Sequence, residues 1–316
     1  MDYSEYELMQ KAVDIVGTSE HPTNKVAAVI AGQDLEGRPM VMARTNFWPA
    51  PIRRKIGLEV KIGNASGTVH AETACIMDAR LANGTSLFVT DVPCPNCVKN
   101  MAEAGVRKLY IDHKGFTKDF ALRRGGHFDN MALRICEKAG IAVYKIFRKE
   151  KRIETILEIP KGFSPVIEKP SCVSAIHKKQ SRKKFLSLVE EEKKFYEGRP
   201  FALALEAHYG QIWHTISAEA HPSPGYTTET VEKGDEKYST ILQPLNRVIM
   251  RATRDSLKIH PNYIYSSQVP TARELVDMVG MGLTKLTIGD RTKCRDAGGV
   301  EALEQLINAE IIELLV

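Results

Sequence analysis

LFVTDVPCPNCVKNMAEAGVRKLYID, residues 87–112, decides how the first half of this chain is read. A short apolar run of β-type residues stops at Pro93. Two cysteines three positions apart then open a segment of helical composition, Gly105 ends it, and VRKLYID is a second strand. Much further along, QVPTARELVDMVGMGLTKLTIG (268–289) lies over DVPCPNCVKNMAEAGVRKLYID (91–112) with a constant offset and no gap, yet both sulfurs are gone. CIMDA (75–79) lies over VIMRA (248–252) in the same way. The shared order of elements, with its Val-Pro and Gly landmarks, indicates an internal duplication.

Working outward, SEYELMQKAVDIV (4–16) has apolar side chains at helical spacing behind a Ser cap, and KVAAVIAG (25–32) with MVMARTNF (40–47) reads as a hairpin. HAETACIMDARL (70–81) is helical and ends at an Asn-Gly pair; FDNMALRICEKAG (128–140) is a further helix and IAVYKIF (141–147) a strand. A helix between VRKLYID and IAVYKIF is a crossover, so those two strands should be parallel. The proline-bearing stretch 151–178 reads as a linker. Beyond it the pattern repeats: a helix in KKFLSLVEEEKKFYEG, a hairpin in FALALEA and QIWHTISA, a helix in ILQPLNRVIMRA, then strand, helix, strand, helix and a closing IIELLV. The expected architecture is α/β: two tandem three-layer α/β/α domains, 1–150 and 179–316, joined by 151–178.

The chain has 316 residues, 43% hydrophobic and 26% charged, the range of a soluble globular protein with room for two cores. No apolar run reaches the roughly 18 residues of a membrane span, so the expectation is an intracellular, cytoplasmic protein without a signal peptide. Six cysteines are too few for a disulfide framework, and a close pair points to metal or chemistry. The net charge of +5 gathers in the first half and around HKKQSRKK (177–184), where it would attract phosphate or an RNA backbone unless it is simply a solvated face.

His70-Ala71-Glu72 stands at the start of one expected helix and Cys94-Pro95-Asn96-Cys97 at the start of the next. Helix N-termini favour thiolates. One imidazole and two thiolates leave a fourth tetrahedral position open, the pattern of a catalytic zinc rather than a structural one. Glu72 is then free to act as general acid/base. H-x-E followed by P-C-x-x-C is the signature of zinc nucleobase deaminases. Through HPTNKVAAVIAG, TVHAETA and the stretch quoted at the outset, residues 1–150 resemble the cytidine/deoxycytidylate deaminase superfamily. The resemblance implies a five-stranded mixed sheet in each domain, Zn2+ on His70, Cys94 and Cys97, and hydrolytic deamination with Glu72 carrying a proton to the leaving ammonia. It also implies that Asn46, at the end of the second strand, holds a sugar. The helical crossover resembles the dCMP and tRNA adenosine deaminase branches, and LFVTDVPCPNC looks dCMP deaminase-like, although Ala74 stands where dCMP deaminases typically carry Asn.

Candidate substrate-binding residues are therefore Asn46, Ala71, Arg53 and Arg54, the last two as phosphate or RNA ligands. In the repeat, His70 falls on Gln243, Glu72 on Leu245, Cys94 on Thr271 and Cys97 on Glu274, so the second half should bind no catalytic metal. The expected substrate is a small nucleotide or nucleoside, dCMP-like. An RNA-editing deaminase and a non-enzymatic zinc-containing binding protein are the alternatives. No membrane partner is expected. The second half is expected to make an intramolecular pseudo-dimer, with further homo-oligomer formation allowed.

Overall fold

A computed structural model describes residues 3–118, 131–176, 180–206, 213–232 and 239–315. Residues 128–130, 177–179, 207, 211–212 and 316 of the segments quoted above lie outside the described residues.

The first sheet has the strand order Pro39–Thr45, Ala27–Gln33, Ser86–Val89, Lys108–Asp112, Ala142–Phe147, Arg152–Leu157. Ala27–Gln33 is antiparallel to both its neighbours, and the next three strands are mutually parallel, as the crossover requires. The second sheet runs Cys172–Ile176, Trp213–Glu219, Phe201–Glu206, Ile259–Val269, Lys285–Cys294, Glu313–Leu314. Its last five strands reproduce the order and directions of the first five of the other sheet, so the duplication read from 91–112 and 268–289 extends to topology.

Each sheet has six strands, not the five expected, and both additions come from the stretch read as a linker. After Phe147 a turn with Lys151 at φ 48° folds Arg152–Leu157 back antiparallel to Ala142–Phe147. Cys172–Ile176 pairs with the outer strand Trp213–Glu219. Both are edge strands without a buried face, so neither carries the alternating apolar pattern by which a half-buried strand is recognised.

The sheets are covered on both sides. In the first half, Leu8, Met9 and Ala12 of the helix Glu5–Ile15 pack on Ala27, Val29, Phe88, Tyr110 and Ile146. Ala28, Ile30, Leu87 and Val89 point the other way, toward the helices Ala71–Asp78, Pro95–Ala104 and Leu133–Ala139. This is the period-2 alternation of strands covered on two faces. The second half repeats the scheme, with the helix Arg182–Tyr196 outside and Pro244–Arg254, Ala272–Gly280 and Ala297–Asn308 inside.

The inner helix layers meet, and one apolar core runs through both halves. Pro95–Ala104 lies on Pro244–Arg254. At that contact Arg247, 2% exposed, donates Nε to Glu103 Oε1 at 3.2 Å, Nη1 to the Glu219 carbonyl at 2.9 Å and Nη2 to the Lys169 carbonyl at 2.8 Å. The buried Lys99 ammonium donates to the carbonyls of Ser239 and Ile241 at 2.7 and 3.1 Å. Buried charge is tolerated only when paired and hydrogen-bonded in this way.

Candidate metal centre and active site

His70 is the N-cap of Ala71–Asp78, and Cys94 is the N-cap of Pro95–Ala104, with Pro95 preset for the first helical position. Cys97 follows one turn later. The antiparallel bridge Phe47–Val69 delivers the chain to His70. The three ligand atoms converge: His70 Nδ1 is 3.5 Å from Cys94 Sγ and 3.3 Å from Cys97 Sγ, and the sulfurs are 3.6 Å apart. Ligands held tetrahedrally at zinc distances stand roughly 3.5–3.8 Å from one another, so the donor set and its spacing fit a zinc ion. Among the described residues it is the one such group of three.

Thr73 donates Oγ1 to Cys97 Sγ at 3.8 Å and accepts from Asn100 Nδ2 at 3.2 Å, which fixes that sulfur from behind. The hydrogen bond and proximity of Cys94, with burial, push the Cys97 thiol well up.

Glu72 is 4% exposed and lines a cavity of about 210 Å³ with His70, Cys94, Ala71 and Asn46. Burial pushes its carboxyl up to about 7, with His70 opposing. Asn46 Oδ1 accepts from Ser19 Oγ at 2.7 Å and from the Val26 N–H at 3.0 Å, and Nδ2 donates to the Asn24 carbonyl at 2.9 Å. These bonds tie the end of the second strand to the loop before the first and leave one amide hydrogen for the cavity.

Arg53 and Arg54 are placed elsewhere. They lie on the short helix Ala50–Lys55, whose buried side chain is Ile52, and neither lines the cavity. Arg53 pairs with Glu20, and Lys55 donates to the Glu310 carbonyl at 3.0 Å. The helix turns this basic run outward. Conversely, His21, Asn24, Ser66 and Thr68 line the cavity and had no recognisable spacing in the sequence.

The second half reaches this site. A second cavity, also about 210 Å³, shares Ser66, His70 and Cys94 with the first and is walled by Arg273 and Asp277. Arg273 Nη1 donates to the Thr68 carbonyl at 2.6 Å. Gln305 brackets the chain just before, accepting from the Gly63 N–H at 3.2 Å and donating to the Lys61 carbonyl at 3.0 Å.

The counterpart of the metal centre keeps its helix caps but not its ligands. Gln243 and Thr271 are N-caps, as His70 and Cys94 are. Glu274 stands in the place of Cys97. Its Oε1 accepts from the Leu245 N–H at 2.8 Å, and Oε2 accepts from the N–H and Oγ1 of Thr271 at 2.7 and 2.9 Å. One carboxylate thus bridges two helix N-termini, which an anion suits as well as a thiolate-bound cation does.

Residues 3–113 match the profile of the cytidine and deoxycytidylate deaminase zinc-binding region. A protein of Aliivibrio fischeri described as "Uncharacterized deaminase in luxG 3'region" is 29% identical over 132 residues, 41% of this chain and 85% of that protein. The crystal structure of dCMP deaminase from the cyanophage S-TIM5 in complex with dCMP and dUMP aligns at 20% identity, over 46% of this chain and all of that one, with a TM-score of 0.32. Its apo form gives 23% identity over the same shares and a TM-score of 0.30.

Proposed function

We propose, from the match of residues 3–113 to the profile of the cytidine and deoxycytidylate deaminase zinc-binding region, that the chain is a zinc-dependent hydrolase that deaminates a cytosine nucleotide or nucleoside, dCMP-like in class, to the uracil product. One observation carries this reading: His70, Cys94 and Cys97 converge at 3.3–3.6 Å, and Glu72 lines a cavity with His70 and Cys94. His70, Cys94 and Cys97 would hold the ion, which when bound supplies Lewis acidity and brings the pKa of a water from 15.7 to about 7. Glu72 carries the two protons of the attacking water in turn, the first to the ring nitrogen beside the reacting carbon and the second to the departing amine. Water thereby supplies the oxygen that replaces the amine; the C–N bond breaks and ammonia leaves. Ala71 and Asn46 border the substrate, and the remaining amide hydrogen of Asn46 is available to a sugar oxygen.

Residues 179–316 stand in for a second subunit, leaving one working site per chain. The matching strand order, the shared core and the grip of Arg273 and Gln305 on residues 61–68 support this role.

The test is a panel of deoxycytidine, cytidine, dCMP, CMP and unmodified tRNA offered to zinc-loaded protein, with uracil, inosine and ammonia as readouts. Uracil product from the small substrates is expected. Inosine in tRNA alone would replace this reading with the RNA-editing one. Full zinc occupancy with no turnover would leave a binding protein.

A further inference from the structure

His21 is a half-buried histidine in the loop before the first strand, and its ring is held on two sides. One face stacks on the buried Trp48, with centroids 5.2 Å apart and planes at 23°. Nδ1 accepts from the backbone N–H of Asn24 at 3.0 Å and of Thr23 at 3.3 Å. A ring nitrogen that accepts cannot carry the proton, so the neutral imidazole holds it on Nε2. Burial lowers the pKa of His21, which favours that neutral form. Among the described residues no protein group accepts from Nε2, and the ring lines the cavity that holds Glu72. The result is a hydrogen-bond donor with one permitted tautomer, a fixed plane and no acceptor among the described residues.

We infer that His21 is a substrate-recognition residue whose Nε2–H donates to an acceptor oxygen of the substrate bound beside Glu72. This rests on the deaminase reading, since it needs a ligand in that cavity. The oxygen belongs either to the nucleoside itself, as a base carbonyl or sugar oxygen, or to a 5′-phosphate. A donor serving binding alone lowers KM without changing kcat.

Two variants separate the donor from the loop. In His21→Asn the side-chain oxygen reaches the Nδ1 position and keeps the bonds from Thr23 and Asn24, but nothing reaches the Nε2 position. In His21→Gln the amide nitrogen reaches the Nε2 position. With zinc-loaded full-length protein, His21→Asn should raise KM about tenfold with kcat changed less than about twofold, the scale of one lost hydrogen bond. His21→Gln should recover most of that loss. A loss equal for deoxycytidine and dCMP assigns the acceptor to the nucleoside; a loss confined to dCMP assigns it to the phosphate.

In the unmutated protein, the imidazole ¹⁵N signals of His21 should report an Nε2–H tautomer and should move when deoxyuridine or dUMP is added. An unchanged KM in His21→Asn, or ¹⁵N signals that ignore both products, overturns the inference while leaving the enzyme intact. Failure of His21→Gln to recover any of the loss also overturns it, because a donor at the Nε2 position would then not be what the substrate requires. If the wild type neither turns over nor binds any of these ligands, the deaminase reading falls and this inference falls with it.

Discussion

Cys94, Cys97 and His70 meet because two helices begin side by side, and a helix start is where a side chain can point along the axis into the space between neighbours. The same geometry without sulfur is what Glu274 exploits. Its carboxylate takes three hydrogen bonds from the Leu245 N–H and from the N–H and hydroxyl of Thr271. Bonds to a buried carboxylate are among the stronger ones. Glu274→Gln should therefore destabilise the protein by about 2–3 kcal/mol in chemical denaturation, while zinc content stays at one per chain and turnover per zinc is retained. Cys97→Ala should do the opposite, dropping bound zinc below about a tenth of an equivalent because a two-ligand site holds the ion poorly.

The candidate ligand set His70, Cys94 and Cys97 was readable from residues alone, since its spacing is local: two residues separate the cysteines, and His70 opens the previous helix. His21 was not, because a lone histidine in HPTN has no spacing to read, and its role arises from Trp48 and the cavity. The run Arg53-Arg54-Lys55 suggested a ligand by its charge; it lies on the helix Ala50–Lys55, and none of the three lines the cavity.

At the scale of elements, the chain from Lys61 to Val69 links the candidate metal centre to the second half. It supplies Ser66 and Thr68 to the cavity and leads directly into His70. Gly63 shows how closely it is held: at φ 52°, a Cβ there would come within 2.0 Å of the Gly298 carbonyl oxygen. Left-handed backbone costs a non-glycine residue about 1 kcal/mol or more, and the clash with backbone has no flexible side chain to absorb it. Gly63→Ala should push the loop off the helix Ala297–Asn308 and cut kcat/KM by about tenfold or more at unchanged zinc content, as measured by steady-state kinetics beside metal analysis.

Most element positions were legible because caps, prolines and strand alternation are local signals. The edge strands Arg152–Leu157 and Cys172–Ile176 were not. Each lies at a sheet margin with no buried face, beside a proline-bearing segment that resembles a linker.

For the whole molecule, the two halves form one packed body rather than beads on a string. The helix Pro95–Ala104 carries Lys99, Asn100 and Glu103, which as sequence suggest a solvated face. All three are 2–3% exposed because the second half covers them. No single-domain reading could foresee this, since the covering residues lie some 140 positions away. Arg247 is the most exacting of these contacts. Arg247→Ala leaves Glu103 as an unpaired buried charge, and removing one member of such a pair costs about 3–5 kcal/mol. The loss should appear in both halves at once, as a single shifted unfolding transition seen by zinc release and by circular dichroism together. Two separate transitions would mean that the halves fold independently and that the shared core contributes little.

The proposed hydrolytic deaminase site in the first half joins one imidazole, two thiolates and a buried carboxylate. It is tested most directly by ammonia release from dCMP and deoxycytidine, with wild type and Glu72→Ala assayed side by side after zinc analysis of both. About one zinc per chain is expected in each protein, with turnover by the wild type and a fall of about 10²–10⁴-fold or more in Glu72→Ala, the scale of a lost general acid/base. A protein that cannot take up zinc, or a Glu72→Ala variant that releases ammonia at the wild-type rate, would contradict it.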